Sequence, residues 1–571
     1  MFRKIISSAF FLFCLSPLFA IEPPTQAELE QYQKDGSLAW RIQNAKALGN
    51  HLVSPDLIEN LKYRLNRYSL EMEGKSQEEI SRLLTLPSGR VGMPTKGTVK
   101  VLTLLIAFSD YPPSQSSSSI TDKLFDDGTA DIAYPYESLR NFYRRSSYNQ
   151  LEIQGSVLGW YTTSYARSSV NQTTTGREAL IMEALGYYDL LGHDFTQYDN
   201  DGNGTIDYLI VIWTGPDNGW GNFWWGYQTS FSDISYSLDG KRLSKYSWQW
   251  ESRPYPGTFN PRTVIHETGH ALGLPDYYDY DSTVGPNGGV GSIDMMDASR
   301  HDHNCFSKYL LDWISPLVFN NVSRSLTLGA SEITKDAALV MPEFSSSDPL
   351  SEFFMIQNRN RLANDSDGSF PNDGLLIWHV DATLNSYGNN FLYDNSYTSH
   401  KLLRLMEADG LEEIEKGYSA DADDFYVAGT RFGPATLPNS QRYDGSSTGI
   451  SVYDIGPSGL LMTFWLNINY LLYPPADFSL QRLENDYIFF KEYINKLTWK
   501  PNPNNHNKIT KYLLFVKPKG SPDYSYQLLA ELSISTLLYE HRGLKKDEFF
   551  TYQIVTVDEN GVESPPAEAS N

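Results

Sequence analysis

Cysteine is scarce: the chain of 571 residues has two, Cys14 and Cys305. Cys14 falls in an N-terminal stretch that reads as a leader, which leaves Cys305 alone and excludes an intramolecular disulfide in the mature chain. A hydrophobic core, with or without metal ions, must then supply the stability; Cys305 itself reads as a packed residue rather than a nucleophile. Positive charge is also short, with 46 Lys and Arg against 69 Asp and Glu, a formal charge of −23. Such a surface repels nucleic-acid phosphates and anionic lipid, and suits carboxylate loops that hold calcium. No nucleic-acid partner is expected. Long apolar runs are missing as well. The one approach to such a run, Ile5 to Leu15, follows Arg3 and Lys4 and precedes the small Ala20. It is too short to span a bilayer and has the pattern of a signal peptide. Bulky Phe11, Leu12 and Phe13 argue against a lipid-modified Cys14. Residues 1–20 are therefore expected to direct export, to a secreted or otherwise extracytoplasmic location, without membrane insertion. No internal repeat is present.

What is plentiful is aromatic surface, 14% of the chain with 38 Tyr and 12 Trp, a composition that leans toward β structure. The length exceeds what one hydrophobic core usually spans, so several domains are expected. Residues 21–97 carry apolar residues at helical spacing, with Ser54, Pro55 and Asp56 as a helix start. They read as an N-terminal helical extension, or as a propeptide removed at the Pro- and Gly-rich stretch 86–97. Residues 98–317 mix strand-like runs (VKVLTLLIAF, YLIVIW) with helical spacing, which predicts an α/β or α+β domain. Within them, ESLRNFYRRSSYNQLEIQGSVLGWY passes from helical spacing to a hairpin-like alternation. Residues 318–472 predict a β-rich domain with strands at SLTLG, EFFMIQNRNR, GLLIWHVD, LLRLMEADG and LMTFWLNI. Residues 473–571, opening on YPPA, have the strand spacing of a β-sandwich. They resemble a fibronectin type III domain, with Trp499, Tyr512 and Tyr552 where that family's core aromatics stand.

The chemistry concentrates in HETGHALGLPD, residues 266–276. On a helix, His266 and His270 lie one above the other on the same face, where two neutral imidazoles reach one Zn²⁺. Glu267 stands beside the first ligand and can take a proton from a water activated by the metal. Gly273 lets the chain turn back, Pro275 ends the helix, and Asp276 arrives as third ligand with a fourth position left open. The competing reading is a helix with two surface histidines. No packing reason asks for Gly and Asp at these added offsets, each about one in twenty by chance.

The extended motif resembles the metzincin signature, in which His more often fills the last position and Asp is a known variant. That class places a Met beneath the zinc, and SIDMMDAS, residues 292–299, offers Met295 and Met296, with Met296 preferred. The chain is closer still to the immune-inhibitor-A-like metallopeptidase family. The shared segments are VLTLLIAFSD, SLRNFYRRSSYNQLEIQGSVLGWY, YDNDGNGTIDYLIVIWTG, HETGHALGLPDYYD, IDMMDAS, FMIQNRN and GLLIWHVD, across roughly 99–469. Ile293 departs from the Trp the family commonly places before the Asp of the Met segment. The resemblance implies a secreted zinc endopeptidase acting on proteins, made with a propeptide and often stabilised by calcium.

DNDGNGTID, residues 199–207, sets out the first three quarters of an EF-hand loop: Asp199, Asp201, Asn203, a backbone oxygen of Thr205, and Asp207. Ile210 replaces the closing Glu, so a DxDxDG-type Ca²⁺ loop leading into a strand is expected rather than an EF-hand pair. Asp279 reads as a partner supporting the zinc ligand, as a second calcium ligand or, in preference, as part of a solvated loop; His379 reads as structural, and GWGNFWWGY (219–227) either as cleft lining or as a cover for the core. Tyr277, Tyr278, His301 and His303 are candidates for an oxyanion donor. The expected function is a zinc-dependent endopeptidase hydrolysing proteins or peptides through a metal-activated water, with Glu267 as general base. Its rivals are a catalytically inactive protease-fold adhesion or binding protein, and a zinc hydrolase of other substrates.

Overall fold

The apolar run after residue 96 becomes β1 (Gly97–Ala107), buried without a break from Val101 to Ala107. Val99, Val101 and Leu105 enter one core, and Leu102, Leu104 and Ile106 enter another. A strand covered on both faces is what a continuous hydrophobic run specifies. In this computed structural model the described residues are 24–127, 136–281, 288–342, 350–396, 399–468, 472–487, 490–503, 505, 509–522, 525–558 and 563–570. The expected leader at 1–20 lies outside them.

Among the described residues, four helices precede the strand: α1 (Gln26–Asp35), α2 (Leu38–Leu48), α3 (Pro55–Met72) and α4 (Gln77–Leu83). Pro55 opens α3, where its fixed φ suits a first turn and its missing N–H costs nothing. The apolar stripe of α3, Leu57, Ile58, Leu61 and Leu65, is buried in the same core as Val99. The N-terminal segment is thus packed into the body of the protein.

Between β1 and β2 (Leu151–Thr162) run α5 (Ser117–Leu124) and α6 (Leu139–Ser146); α7 (Thr174–Leu190) leads to β3 (Thr205–Trp213). Then come β4 (Tyr227–Ser230), β5 (Ser237–Leu238) and β6 (Lys241–Trp250). The sheet order is β2-β1-β3-β6-β4, with β5 on β6; β1, β2, β3 and β6 are parallel, and β4 is antiparallel at the edge. The helical spacing at 139–146 is the helix α6, while the alternation read as a hairpin is instead the single strand β2, parallel to β1. The helices before β2 supply the crossover that parallel pairing requires.

The next helices are α8 (Arg262–Ala271), α9 (Met295–Ala298) and α10 (Cys305–Leu310). Beyond them lie β7 (Leu317–Phe319), β8 (Val322–Gly329), β9 (Ala338–Val340), β10 (Glu352–Arg359), β11 (Gly374–Asp381), β12 (Leu403–Leu405), β13 (Ile450–Tyr453) and β14 (Leu461–Ile468). They form the sheets β12-β11-β10-β9-β7 and β13-β14-β8. Of the strand expected at LLRLMEADG only Leu403–Leu405 forms; the chain beyond it is irregular, with short 3₁₀ turns. The stretches expected as 98–317 and 318–472 feed one core that runs from Val53 through Trp313 to Phe425. Gln357 of β10 accepts the Cys305 backbone N–H at 2.6 Å, and Phe306 packs on Phe353. Residues up to 320 and 324–466 make one compact unit.

Residues 321–323 and 467–571 make a second unit. It holds β15 (Ala476–Asp486), β16 (Lys491–Lys500), β17 (Ile509–Pro518), β18 (Gln527–Ser533), β19 (Leu538–Leu544), β20 (Phe550–Asp558) and β21 (Ala567–Ser570). Two antiparallel sheets, β15-β16-β19 and β18-β17-β20-β21, share a core of Leu497, Trp499, Tyr512, Leu514, Tyr552 and Ile554. The chain as a whole is mixed α/β with several β-sheets.

Candidate metal centre

Every residue of α8 is buried. The helix starts where Asn260 Oδ1 accepts the Arg262 N–H at 2.9 Å. It ends in a Schellman motif: the Gly273 N–H donates to His270 O at 2.9 Å and the Leu274 N–H to Gly269 O at 3.0 Å. Gly273 takes φ +104°, a conformation that disfavours side chains. The turn brings Leu274 O back to accept from His270 Nδ1 at 2.9 Å, while His266 Nδ1 donates to Met295 O at 2.8 Å. Each imidazole therefore spends its Nδ1 hydrogen on a carbonyl and presents an Nε2 lone pair to the interior.

Asp276 meets those lone pairs. Its Oδ1 lies 2.9 Å from His266 Nε2 and 3.4 Å from His270 Nε2, and all three side chains are at most 3% exposed. The three ligand atoms fall within 4.8 Å of one another, and Asp276 Oδ1 is buried without a hydrogen-bond donor. Three acceptors converging in a dry pocket repel one another unless a cation lies among them, so the donor set fits a divalent metal of the zinc type. Burial works against charge on Asp276; when the two imidazoles are protonated instead of holding a cation, their charge and hydrogen bonds outweigh that burial and hold the carboxyl well below the usual range. Its Oδ2 accepts from Tyr280 OH at 2.5 Å, and its backbone N–H donates to Asn50 O at 2.7 Å.

Glu267 is 1% exposed, and its Oε2 has no hydrogen-bond partner. Burial pushes its carboxyl up to about 7, against the pull of His266 and His270. A carboxyl so placed can gain and lose a proton near neutral pH. Beside His270 opens a cleft of about 260 Å³, lined by Gln228, Thr229 and Ser230 of the edge strand β4 and by Asn50 and Ser54. The N-terminal segment thus borders the cleft.

Met296 lies directly beneath α8. A Cβ on Gly269 would fall well inside contact distance of Met296 Sδ, so glycine is what permits this approach. Asp294 caps α9 through the Met296 N–H at 2.7 Å, and Asp297 Oδ2 gathers the N–H groups of Val290 (3.0 Å) and Ser292 (2.6 Å). The segment that carries Met295 O and Met296 is thereby tied down under His266.

In the 199–207 loop, Asp199, Asp201 and Asp207 bring ligand oxygens within 4.8 Å of one another. Asp199 Oδ1 and Asp207 Oδ1 are buried without partners, while Asp199 Oδ2 accepts from Lys241 Nζ at 2.6 Å. Burial, then the neighbouring Asp201 and Asp199, push Asp207 up to about 6 against the bonds it accepts from Asn200. Asn203 Oδ1 turns instead to the Thr205 N–H and hydroxyl, at 2.9 and 2.5 Å.

The remaining candidates are engaged elsewhere. Tyr277 OH bonds Ser307 Oγ at 2.7 Å, and Tyr278 OH accepts from Trp220 Nε1 at 3.3 Å. His303 packs among Phe142, Tyr143 and Trp313, and His301 against Phe370. His379 is stacked between Phe354 and Tyr443. Trp220, Trp224 and Trp225 of the Gly-rich loop are buried and cover the second core. Cys305 is buried, its thiol pushed up to about 12 by that burial. Asp279 corrects the solvated-loop reading: it is half-buried, its Oδ2 is enclosed without a partner, and burial pushes it up to about 7. Sequence reasoning missed Tyr280 and the carbonyls of Asn50 and Met295. The tyrosine was visible four residues after Asp276; backbone acceptors leave no trace in residue type.

No family model matches the chain. It is 26% identical to Immune inhibitor A of Bacillus thuringiensis subsp. alesti over 180 residues, 26% of each chain. It is 28% identical over 240 residues to Pre-pro-metalloprotease PrtV of Vibrio cholerae serotype O1 (strain M66-2), covering 33% of this chain and 26% of that one. Among solved structures, a Fn3-like protein from Clostridium thermocellum is 23% identical over 17% of this chain and 91% of its own, with a TM-score of 0.13, a likeness too slight to carry an argument. The alignments span about a quarter of the length of the two relatives, and over a third of its own length this chain is similar to a metalloprotease.

Proposed function

We propose that the chain is an exported zinc-dependent endopeptidase that hydrolyses peptide bonds of protein substrates. The observation that carries the proposal is the convergence of His266 Nε2, His270 Nε2 and the unpartnered Asp276 Oδ1, with buried Glu267 next to the first of them. Those three residues would hold the ion. When bound, zinc polarises the scissile carbonyl and acidifies the attacking water. The rest is done by the chain. Glu267 accepts the proton of that water and delivers it to the departing amine nitrogen, a task its raised pKa suits near neutral pH. Met295 O and Leu274 O hold the two imidazoles in the tautomer that leaves Nε2 free. The edge strand β4 offers unpaired backbone groups to an extended substrate in the cleft beside His270.

We read residues 1–20 as the export signal, the C-terminal sandwich as a fibronectin type III-like module, and Asp199, Asp201 and Asp207 as a calcium loop. An inactive binding protein of the same fold is the rival. The presence of Glu267 speaks against it, because the carboxylate serves chemistry and not packing: its Oε2 bonds nothing. Zymography of the purified protein tests the choice. Casein clearing that a chelator abolishes and added zinc restores supports the enzyme; no clearing at any zinc level supports the rival.

A further inference from the structure

A second group of carboxylates lies away from the metal centre, in the irregular chain beyond β12. Glu407, Asp409, Glu413 and Asp424 each bring one oxygen to within 4.8 Å of the others. Glu407 and Asp424 are only 1% exposed. Each has one oxygen fixed by the backbone: Glu407 Oε2 accepts the Glu413 N–H at 2.6 Å, and Asp424 Oδ2 the Asp421 N–H at 2.7 Å. The other oxygens, Glu407 Oε1 and Asp424 Oδ1, are buried with no partner, and so is Glu413 Oε2. Among the described residues no lysine or arginine pairs with any of the four. The cationic neighbour Arg404 is committed to Glu412 and Glu415, at 2.9 and 3.2 Å. Buried, oriented carboxylate oxygens without a counter-charge are costly. Burial pushes both Glu407 and Asp424 up to about 7, which records that cost.

We propose that Glu407, Asp409, Glu413 and Asp424 form a calcium site, distinct from the 199–207 loop, that clamps residues 406–424 against the segment supporting the metal centre. The donor set is all oxygen, drawn from an irregular stretch with one exposed carboxylate, Asp409. Calcium takes such sets, whereas zinc prefers nitrogen and sulfur and magnesium keeps most of its waters. The clamp is argued from the contacts of the loop. Ala420 N–H donates to Gly291 O at 2.8 Å, and a Cβ on Gly291 would lie 2.7 Å from Ala420 Cβ and 2.8 Å from Ile414 Cδ1. Lys401, paired with Glu415, donates to Gly289 O at 3.1 Å. Residues 289–292 lead through Asp297 to Met295, whose carbonyl orients His266. The site stands independently of any protease activity.

Calorimetric titration of Ca²⁺ into the full chain, dialysed free of calcium, tests the site. The double variant Glu407→Gln/Asp424→Asn keeps the shapes and bonding of the protonated carboxyls, so it folds without the cation. It is expected to bind one equivalent of Ca²⁺ fewer than the wild type. It is also expected to lose the share of the Ca²⁺-dependent rise in Tm, about 3 °C for a unit of this size, that one site at a hundredfold excess over Kd gives. Asp199→Asn/Asp207→Asn should leave this equivalent in place. An unchanged stoichiometry in the Glu407/Asp424 variant overturns the site. Hydrogen exchange tests the clamp: Ca²⁺ should slow the amides of residues 289–297 in the wild type and not in the variant. Exchange there that ignores Ca²⁺ in the wild type overturns the clamp.

Discussion

Replacing Tyr280 by Phe removes a single hydroxyl, the one that donates to Asp276 Oδ2 at 2.5 Å. The ring should stay where it is, stacked on Tyr278 with centroids 5.1 Å apart and edge-on to Trp220 at 5.6 Å, so the substitution leaves no cavity. What changes is the orientation of Asp276. A hydrogen bond to a charged acceptor contributes about 1.5–3 kcal/mol, and loss of a group that orients a metal ligand weakens metal binding about 10–100-fold. The two figures agree, since tenfold corresponds to about 1.4 kcal/mol. Tyr280→Phe should therefore bind zinc about 10–100-fold more weakly, read by competition against a chromophoric chelator, with near-UV circular dichroism unchanged. An affinity within twofold of wild type would refute the assignment of Asp276 as a ligand held by Tyr280.

Gly269→Ala sets helix propensity against packing. Alanine gains about 1 kcal/mol in a helix interior, but its Cβ would collide with Met296 Sδ, an overpacking that costs about 1–3 kcal/mol. Calorimetry should show a net loss of about 1 kcal/mol, the difference of those two effects; a stabilised variant would deny the close approach of Met296. The acid limb of the kcat/KM profile should lie above the ordinary glutamate value of 4.5, since Glu267 must lose its proton to act and burial raises its pKa toward about 7, less whatever the metal's charge takes back. Full activity down to pH 4.5 would show that burial does not set the titration of Glu267 in the loaded enzyme. A proteolytic nick within residues 86–97 should not release residues 24–85, because Leu57, Ile58, Leu61 and Leu65 are buried at about 1.5–3 kcal/mol each. Size-exclusion chromatography should give one peak in native buffer and two in denaturant; two peaks in native buffer would contradict that packing.

The grouping of His266, His270 and Asp276 was legible because helical geometry and one glycine turn bring residues ten apart to a common point. The covered strand β1 was legible for the same local reason, in an unbroken apolar run. Contacts made at long range were not. Parallel pairing of β2 with β1 depends on the helices between them, and an alternating pattern cannot tell a parallel neighbour from a hairpin. Asn50 and Met295 act through carbonyl oxygens that every residue possesses. Glu407 falls in the stretch LLRLMEADG read as a strand and Asp424 lies seventeen positions further on, so only the fold brings them together. The shared core of the 98–317 and 318–472 stretches was hidden similarly, since apolar faces show that burial occurs and not against what.

Glu267→Ala tests the central claim most directly, when zinc content and casein hydrolysis are measured on the same preparation. The ligand set is untouched by the change, so the variant should retain one equivalent of zinc and lose nearly all hydrolysis. Retained hydrolysis would remove Glu267 from the chemistry, and a wild-type protein that binds no zinc would remove the metal centre itself.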